Sequence, residues 1–546
     1  MRRRGIMSRS ITKCWAAVVA VLAMLVGMLG LQAPHAYAAD GVTSASTGSL
    51  TMTGLENGVA VKAYKVIDVN WNDKTGEPAS PRYTWNSDVQ QYIKTNFASY
   101  IDSSNNAVTE AYLKADANNL ATFYDKLSTQ ASSLTAAGTE TSTGGTAGTD
   151  NTASVTLSNL RMGSYLVLVT GGEYVYRASV ASIWPNLDEK TNTWKVEDGT
   201  LQVKRDNVDI DKSVNEENND HVSGKDVLDK GTDSAGIGDT VNFDLRAKVP
   251  TFPANAENKQ FYLGDKLSDG LTLDASSIKV YGAPEKGAEV LLSGTGADAA
   301  YTLTTTGAQR PDNNAAVSFL VNFNYDQIKQ YAKVHVDYNA TVNEKAVIGP
   351  GGNPNTVTLI YSNNPYGDNT YKTHEDKVKV FSYGLDVFKY HKVNGKEEAL
   401  TGVEFTLKKK GADDTLKLIK KADGHYRLPA KNETATITDL AVDANGKLKV
   451  DGLDEGDYVL TESKRPAGYG AIAPIEFTIK DKTGSSTVEH TGVEQSSTAN
   501  DGYHSMKVEN VPGLPNTGGV GTVVLTAAGV LLIAGGLLMA IRRKRA

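Results

Sequence analysis

The chain has 546 residues, 40% of them hydrophobic and 22% charged, with a formal net charge of −7, a length that accommodates about three or four domains. Basic residues are scattered rather than blocked, which excludes nucleic acid as a partner. Threonine, valine, glycine and tyrosine favour strands over helices, and the single cysteine, Cys14, leaves no disulfide to staple a fold.

Residues 1–38 read as a cleaved signal peptide. Arg2, Arg3, Arg4 and Arg9 form a positive start, Ala16 to Leu31 an apolar run, and Ala36-Tyr37-Ala38 a small-residue cleavage site. Cleavage after Ala38 also removes Cys14.

A first unit, 39–207, opens with strand-like alternation at Leu50, Met52, Val59, Val61, Ala63 and Tyr64. Helical periodicity follows over Asp88–Tyr100 and Val108–Leu127. Ser132–Ser154 is Gly/Thr/Ser-rich without apolar periodicity and predicts a mobile surface loop. Strands resume at Ser164–Val169 and Tyr174–Ile183.

A second unit, 208–380, has strand signals at Thr240–Val249, Gln260–Gly264, Ala316–Phe323, Ala332–Tyr338 and Thr356–Tyr361. Turn clusters such as Gly351-Gly352-Asn353-Pro354 separate them. A third unit, 381–513, has them at Tyr383–Tyr390, Gly402–Lys408, Lys447–Val450, Asp457–Glu462, Ile475–Ile479 and Met506–Asn510. Both patterns predict β-sandwiches.

The tail, 514–546, has three parts in order. Leu514-Pro515-Asn516-Thr517-Gly518 comes first, then an apolar stretch, Gly519–Ile541, then Arg542-Arg543-Lys544-Arg545. The apolar stretch is long enough to span a bilayer, with the charges holding the cytoplasmic side.

This tail resembles the cell-wall sorting signal of Gram-positive surface proteins. The resemblance implies that a sortase attacks the Thr517-Gly518 bond and passes the threonine carbonyl to an amine. The third unit resembles the CnaB-type immunoglobulin-like domain of such proteins. The matching residues are Leu385-Asp386-Val387-Phe388-Lys389, Leu400-Thr401-Gly402-Val403-Glu404-Phe405, the stretch Leu453–Tyr469 around Glu462, and Val508-Glu509-Asn510. The second unit resembles the larger sandwich that precedes CnaB in sortase-assembled pilins. There the matches are Asp209-Ile210-Asp211-Lys212, Tyr262–Leu267 with Asp265, and the segment Asn355–Pro365.

The order of segments is that of a pilus backbone subunit. The implied fold is mainly β: tandem CnaA/CnaB-type immunoglobulin-like sandwiches after a mixed α+β N-terminal domain, ending in a transmembrane sorting helix. The family implies an intramolecular Lys–Asn isopeptide bond in each sandwich. Its residues here are Lys389, Glu462 and Asn510 in one, and Lys212, Asp265 and Asn355 in the other, with Asp244 as an alternative acid. Burial suits this chemistry, because it favours a neutral amine and a protonated carboxyl.

The family's pilin motif is altered in this chain. Trp194 is followed after a longer spacer by Leu201-Gln202-Val203-Lys204, without Tyr-Pro. Lys204 is the candidate acceptor, with Lys195 and Lys190 as alternatives. The implied partners are a pilus-type (class C) sortase, a housekeeping sortase, other copies of the chain, minor pilins and peptidoglycan, and the implied location is the cell wall.

A monomeric or minor wall-anchored adhesin carries the same domains and stands as the alternative. A surface enzyme is disfavoured, since no His-Glu-x-x-His, Gly-x-Ser-x-Gly or cysteine nucleophile appears. The eight histidines lack metal-ligand spacing. No cofactor or metal is expected, and the Asp-rich stretch Asp206–Asp233 reads as solvated linker and strand edge rather than a calcium site.

Overall fold

The computed structural model describes residues 41–144, 153–215, 231–252, 256, 258–363, 371–479, 493–495 and 502–513. The expected signal peptide, the Leu514–Gly518 pentapeptide and the apolar run after it lie outside them. Among the described residues no helix is long and apolar enough to cross a membrane. The described residues are mainly β, 54% strand and 9% helix.

The first unit is layered. Its larger sheet runs in the order Glu77–Trp85, Ala60–Asn72, Gly163–Thr170, Ser179–Asp188, Thr193–Glu197. Gly163–Thr170 is covered on both faces, which is why Tyr165–Val169 is an unbroken apolar run. Val167 and Val169 pack with Leu50, Met52 and Leu157 of a three-stranded sheet. Leu166 and Leu168 pack with Val89, Ile93, Phe123 and Leu127 of the helices.

Two expectations for this unit are corrected. The periodic stretch Val108–Leu127 is two helices, Glu110–Leu113 and Ala117–Leu127. Asp116 starts the second by accepting hydrogen bonds from Asn118 N and Asn119 N, an N-cap inside the periodic run. Within Ser132–Ser154, Ala136–Thr141 is a strand paired antiparallel with Ala60–Tyr64. It is held by its backbone ladder at the surface and so shows no apolar alternation. Residues 145–152 lie outside the described residues.

The second unit is a sandwich with one core between two sheets. One sheet is ordered Ile210–Asn215, Thr240–Lys248, Lys333–Val342, Leu271–Ala283, Val290–Leu291. The other is ordered Thr232–Ser234, Tyr371–Phe381, Asn353–Ser362, Phe261–Leu267, Phe319–Phe323, Tyr301–Thr304. Two long strands escaped the sequence reading. Leu271–Ala283 carries a bulge between Asp274 and Lys279 that breaks its alternation. Tyr371–Phe381 begins as polar, charged surface and turns apolar only near Val378.

In the third unit the first and last strands, Tyr383–Val393 and Tyr503–Glu509, pair in parallel at the centre of one sheet. The facing sheet holds Leu440–Ala441, Glu404–Lys409, Gly456–Lys464 and Ile475–Ile479. Only Ser382 separates this unit's first strand from Tyr371–Phe381. Ile237 N donates to Gly452 O at 2.9 Å across the junction. Gly452 has φ +83°, and a Cβ there would lie 2.5 Å from the Ile237 side chain, so the close approach requires glycine.

Candidate functional site

Core-facing residues of these strands alternate, and polar groups interrupt the series in phase. Leu385 and Val387 are followed by Lys389, Met506 and Val508 by Asn510, and Tyr458 and Leu460 by Glu462. The pleat therefore points all three polar side chains into the apolar interior. Lys389 and Asn510 are 0% exposed, and the Glu462 side chain is 1% exposed.

The parallel register sets Lys389 opposite Val508, and Asn510 N donates to Tyr390 O at 3.0 Å. Lys389 Nζ donates to Asn510 Oδ1 and lies 3.5 Å from Glu462 Oε1. Asn510 Nδ2 donates to Glu462 Oε2 at 3.3 Å and to Gly470 O at 3.3 Å. Burial pulls the Lys389 ammonium down to about 8, against the opposing effect of Glu462. The amine is thus within reach of its neutral form, in contact with a carboxamide and beside an acid.

The second unit repeats the device. Ile210, Lys212 and Val214 face the core, as do Leu263 and Asp265, and Asn355, Val357 and Leu359. Lys212 comes from one sheet, Asp265 and Asn355 from the other. Lys212 Nζ donates to Asp265 Oδ2 and, at 3.0 Å, to the Tyr338 hydroxyl. Burial pulls the lysine below its ordinary range and pushes the Asp265 carboxyl above its own, each against the attraction of the other. Asp244, the alternative acid, does not meet Lys212. It pairs with Arg246 Nε at 3.1 Å and His335 Nε2 at 2.9 Å.

Sequence reasoning missed Tyr338. Its position between Val336 and Ala340 marks it as core-facing, but an aromatic there reads as packing. Its hydroxyl in fact touches three members of the cluster.

Lys204 is exposed where the first unit meets the second. The backbone around it is fixed: Val203 N donates to Thr53 O at 3.1 Å, and Lys204 O accepts from Arg177 N at 3.0 Å. The Arg205 guanidinium lies 4.0 Å from the Tyr174 ring centre. The junction is further tied by Arg177–Asp206 at 3.0 Å, Thr251 N to Asp206 at 3.1 Å and Asn363 Nδ2 to Gly172 O at 2.9 Å. Of the alternatives, Lys195 is ion-paired with Asp188 at 3.0 Å. Lys190 lies in the turn between Ser179–Asp188 and Thr193–Glu197. Trp194 packs edge-on against Trp71 at 5.4 Å. Leu514, Pro515, Asn516, Thr517 and Gly518 lie outside the described residues. Among the described residues no group of three or more His, Cys, Asp or Glu is placed to hold a metal.

Comparison with known families matches residues 237–365 to the Gram-positive pilin backbone subunit 2, Cna-B-like domain. Residues 386–494 match a prealbumin-like fold domain and 507–546 the LPXTG cell wall anchor motif. The chain is 26% identical over 277 residues to the trypsin-resistant surface T6 protein of Streptococcus pyogenes. That match spans 49% of this chain and 48%, about half, of the T6 protein. It is 23% identical over 438 residues to the fimbrial subunit type 2 of Actinomyces naeslundii, covering 73% of each. Its fold is similar to that of the T6 backbone pilin of serotype M6 S. pyogenes, a modular three-domain protein, with TM-score 0.53, 20% identity and 84% of each chain covered.

Proposed function

We propose that this chain is a secreted, cell-wall-anchored Gram-positive pilin backbone subunit, the structural repeat of a covalently polymerised pilus, and not an enzyme. A pilus-type sortase cleaves between Thr517 and Gly518 and joins the Thr517 carbonyl to Lys204 of the next copy. A housekeeping sortase joins the last copy to peptidoglycan. Linking the tail of one copy to the junction of another is a heterologous contact that does not close, so it propagates as a filament. We divide the chain into units near Asn207 and Val380.

The observation that carries this reading is the pair of buried lysine–acid–asparagine clusters in a chain with a cell wall anchor motif. A filament under tension needs cross-links that non-covalent packing does not supply. In each cluster the neutral lysine amine attacks the asparagine carboxamide carbon. The C–N bond to lysine forms, the bond to Nδ2 breaks, and the acid moves one proton from the attacking nitrogen to departing ammonia. Placement of both partners in one rigid core makes the step effectively unimolecular. The product is a neutral amide, which removes the cost of keeping ionisable groups out of water.

Lys204→Ala tests the assembly. The expected result is a folded, wall-anchored monomer that keeps both internal bonds and loses the high-mass ladder of wall extracts. A persisting ladder would show that another lysine, such as Lys195 or Lys190, is the acceptor.

A further inference from the structure

We propose that the Lys212–Asn355 bond is made by four residues rather than three, with the Tyr338 hydroxyl carrying the proton between Asp265 and Asn355. This inference rests on the reading of the buried clusters as isopeptide sites. It concerns the division of labour inside one of them.

The two clusters are wired differently. In the third unit the acid touches both reactants: Glu462 lies 3.5 Å from the amine and accepts from Asn510 Nδ2 at 3.3 Å. In the second unit Asp265 touches the amine, but its hydrogen bonds run to Lys212 and Tyr338, not to the asparagine. Asn355 is 0% exposed. Its side-chain hydrogen bond runs from Nδ2 to the Tyr338 hydroxyl at 2.6 Å, and its Oδ1 has no hydrogen-bond partner among the described residues. The hydroxyl also donates to Asp265 Oδ1 at 2.9 Å and accepts from Lys212 Nζ at 3.0 Å. Attacking nitrogen, acid and leaving nitrogen thus all meet at one oxygen.

The ring is held as firmly as its hydroxyl. Tyr338 is 1% exposed. Phe243 stacks on it at 5.3 Å and Phe319 meets it edge-on at 4.9 Å. The same Phe243 ring lies 5.3 Å from Lys212 Nζ. Burial and the neighbouring Asp265 keep the phenol protonated, so it acts as a relay and not as a base.

The protons balance around a closed circuit. As Lys212 Nζ bonds to the Asn355 carboxamide carbon, it gives one proton to Asp265 Oδ2. Once the carboxyl is neutral its Oδ1–H donates to the Tyr338 oxygen, the reverse of the bond a carboxylate accepts. The phenol O–H turns to Asn355 Nδ2, whose lone pair is freed as the carbon becomes tetrahedral. The Oδ1 proton then passes to the phenol oxygen and the Tyr338 proton to Nδ2. The carbon–Nδ2 bond breaks and ammonia leaves. Acid and phenol end as they began.

Tyr338→Phe in the full-length chain removes the relay and keeps the ring. Digestion and mass spectrometry then follow the Lys212–Asn355 cross-linked peptide, with the Lys389–Asn510 peptide of the same molecules as the control site and far-UV circular dichroism with limited proteolysis reporting that the second unit is folded. The expected rate of Lys212–Asn355 linkage falls about a hundredfold, as for loss of a general acid–base group, while the Lys389–Asn510 linkage stays complete. Linkage at the wild-type rate in Tyr338→Phe would overturn the relay but leave the isopeptide reading standing. Absence of the cross-linked peptide from the wild-type chain would overturn both. Should the phenylalanine variant not fold, difluorotyrosine at position 338 keeps the ring shape and makes the hydroxyl more acidic. An altered linkage rate then supports the relay, and an unchanged rate overturns it.

Discussion

Lys389→Ala and Glu462→Ala each yield a chain that has lost one ammonia fewer than wild type, with a third unit far easier to unfold and digest. The two substitutions do different things to packing. One deletes the nucleophile, and the other deletes the acid while leaving amine and carboxamide in place. Agreement between them therefore isolates the bond. The proposed linkage would tie the first strand to the last across 121 residues of sequence. By the chain-entropy argument used for disulfides, closing such a loop stabilises by about 5 kcal/mol. Glu462→Ala should therefore lower the unfolding temperature of the third unit by more than ten degrees, at roughly 4 °C per kcal/mol for a domain of this size. Intact mass and a protease time course on the same samples check it. A wild-type mass equal to the sequence mass contradicts the account, as does a Glu462→Ala chain as light as wild type.

Thr517→Ala gives the other large effect, a complete loss of wall-linked polymer, because on the proposed function only the carbonyl of Thr517 becomes the activated acyl group. Leu514→Ala should act the same way by weakening recognition of the pentapeptide. Both variants should leave folded monomer in the membrane fraction or the medium, with both internal bonds formed. Fractionation followed by denaturing electrophoresis reads the result. Wild-type amounts of wall-linked polymer in Thr517→Ala would refute the assigned acyl donor.

Much of the fold was legible because alternation is a direct record of which face of a strand meets the core. Lys389, Asn510, Glu462, Lys212, Asp265 and Asn355 came instead from the resemblance of their segments to sortase-assembled pilins, and in the structure each is a polar residue in apolar phase. Alternation failed where the period broke or carried no apolar signal. The bulge between Asp274 and Lys279 hid Leu271–Ala283, and its polar, charged start hid Tyr371–Phe381. Ala136–Thr141 joined a sheet through its backbone alone. The acid of the second unit was ambiguous for a related reason. Asp244 and Asp265 both lie on buried strands, and only the three-dimensional register gives Asp244 to Arg246 and His335. Tyr338 was invisible because a core aromatic needs no further explanation until its hydroxyl is seen among three reactive groups.

On the proposed function, copies of this chain are joined tail to junction by a covalent bond. Tandem mass spectrometry of peptides from the high-mass ladder released from cell walls tests it most directly. The predicted species is a branched peptide in which the carbonyl of Thr517 is bonded to Nζ of Lys204 of a second copy. Wall material in which Thr517 is found only on peptidoglycan, with no lysine of this chain attached, would contradict it.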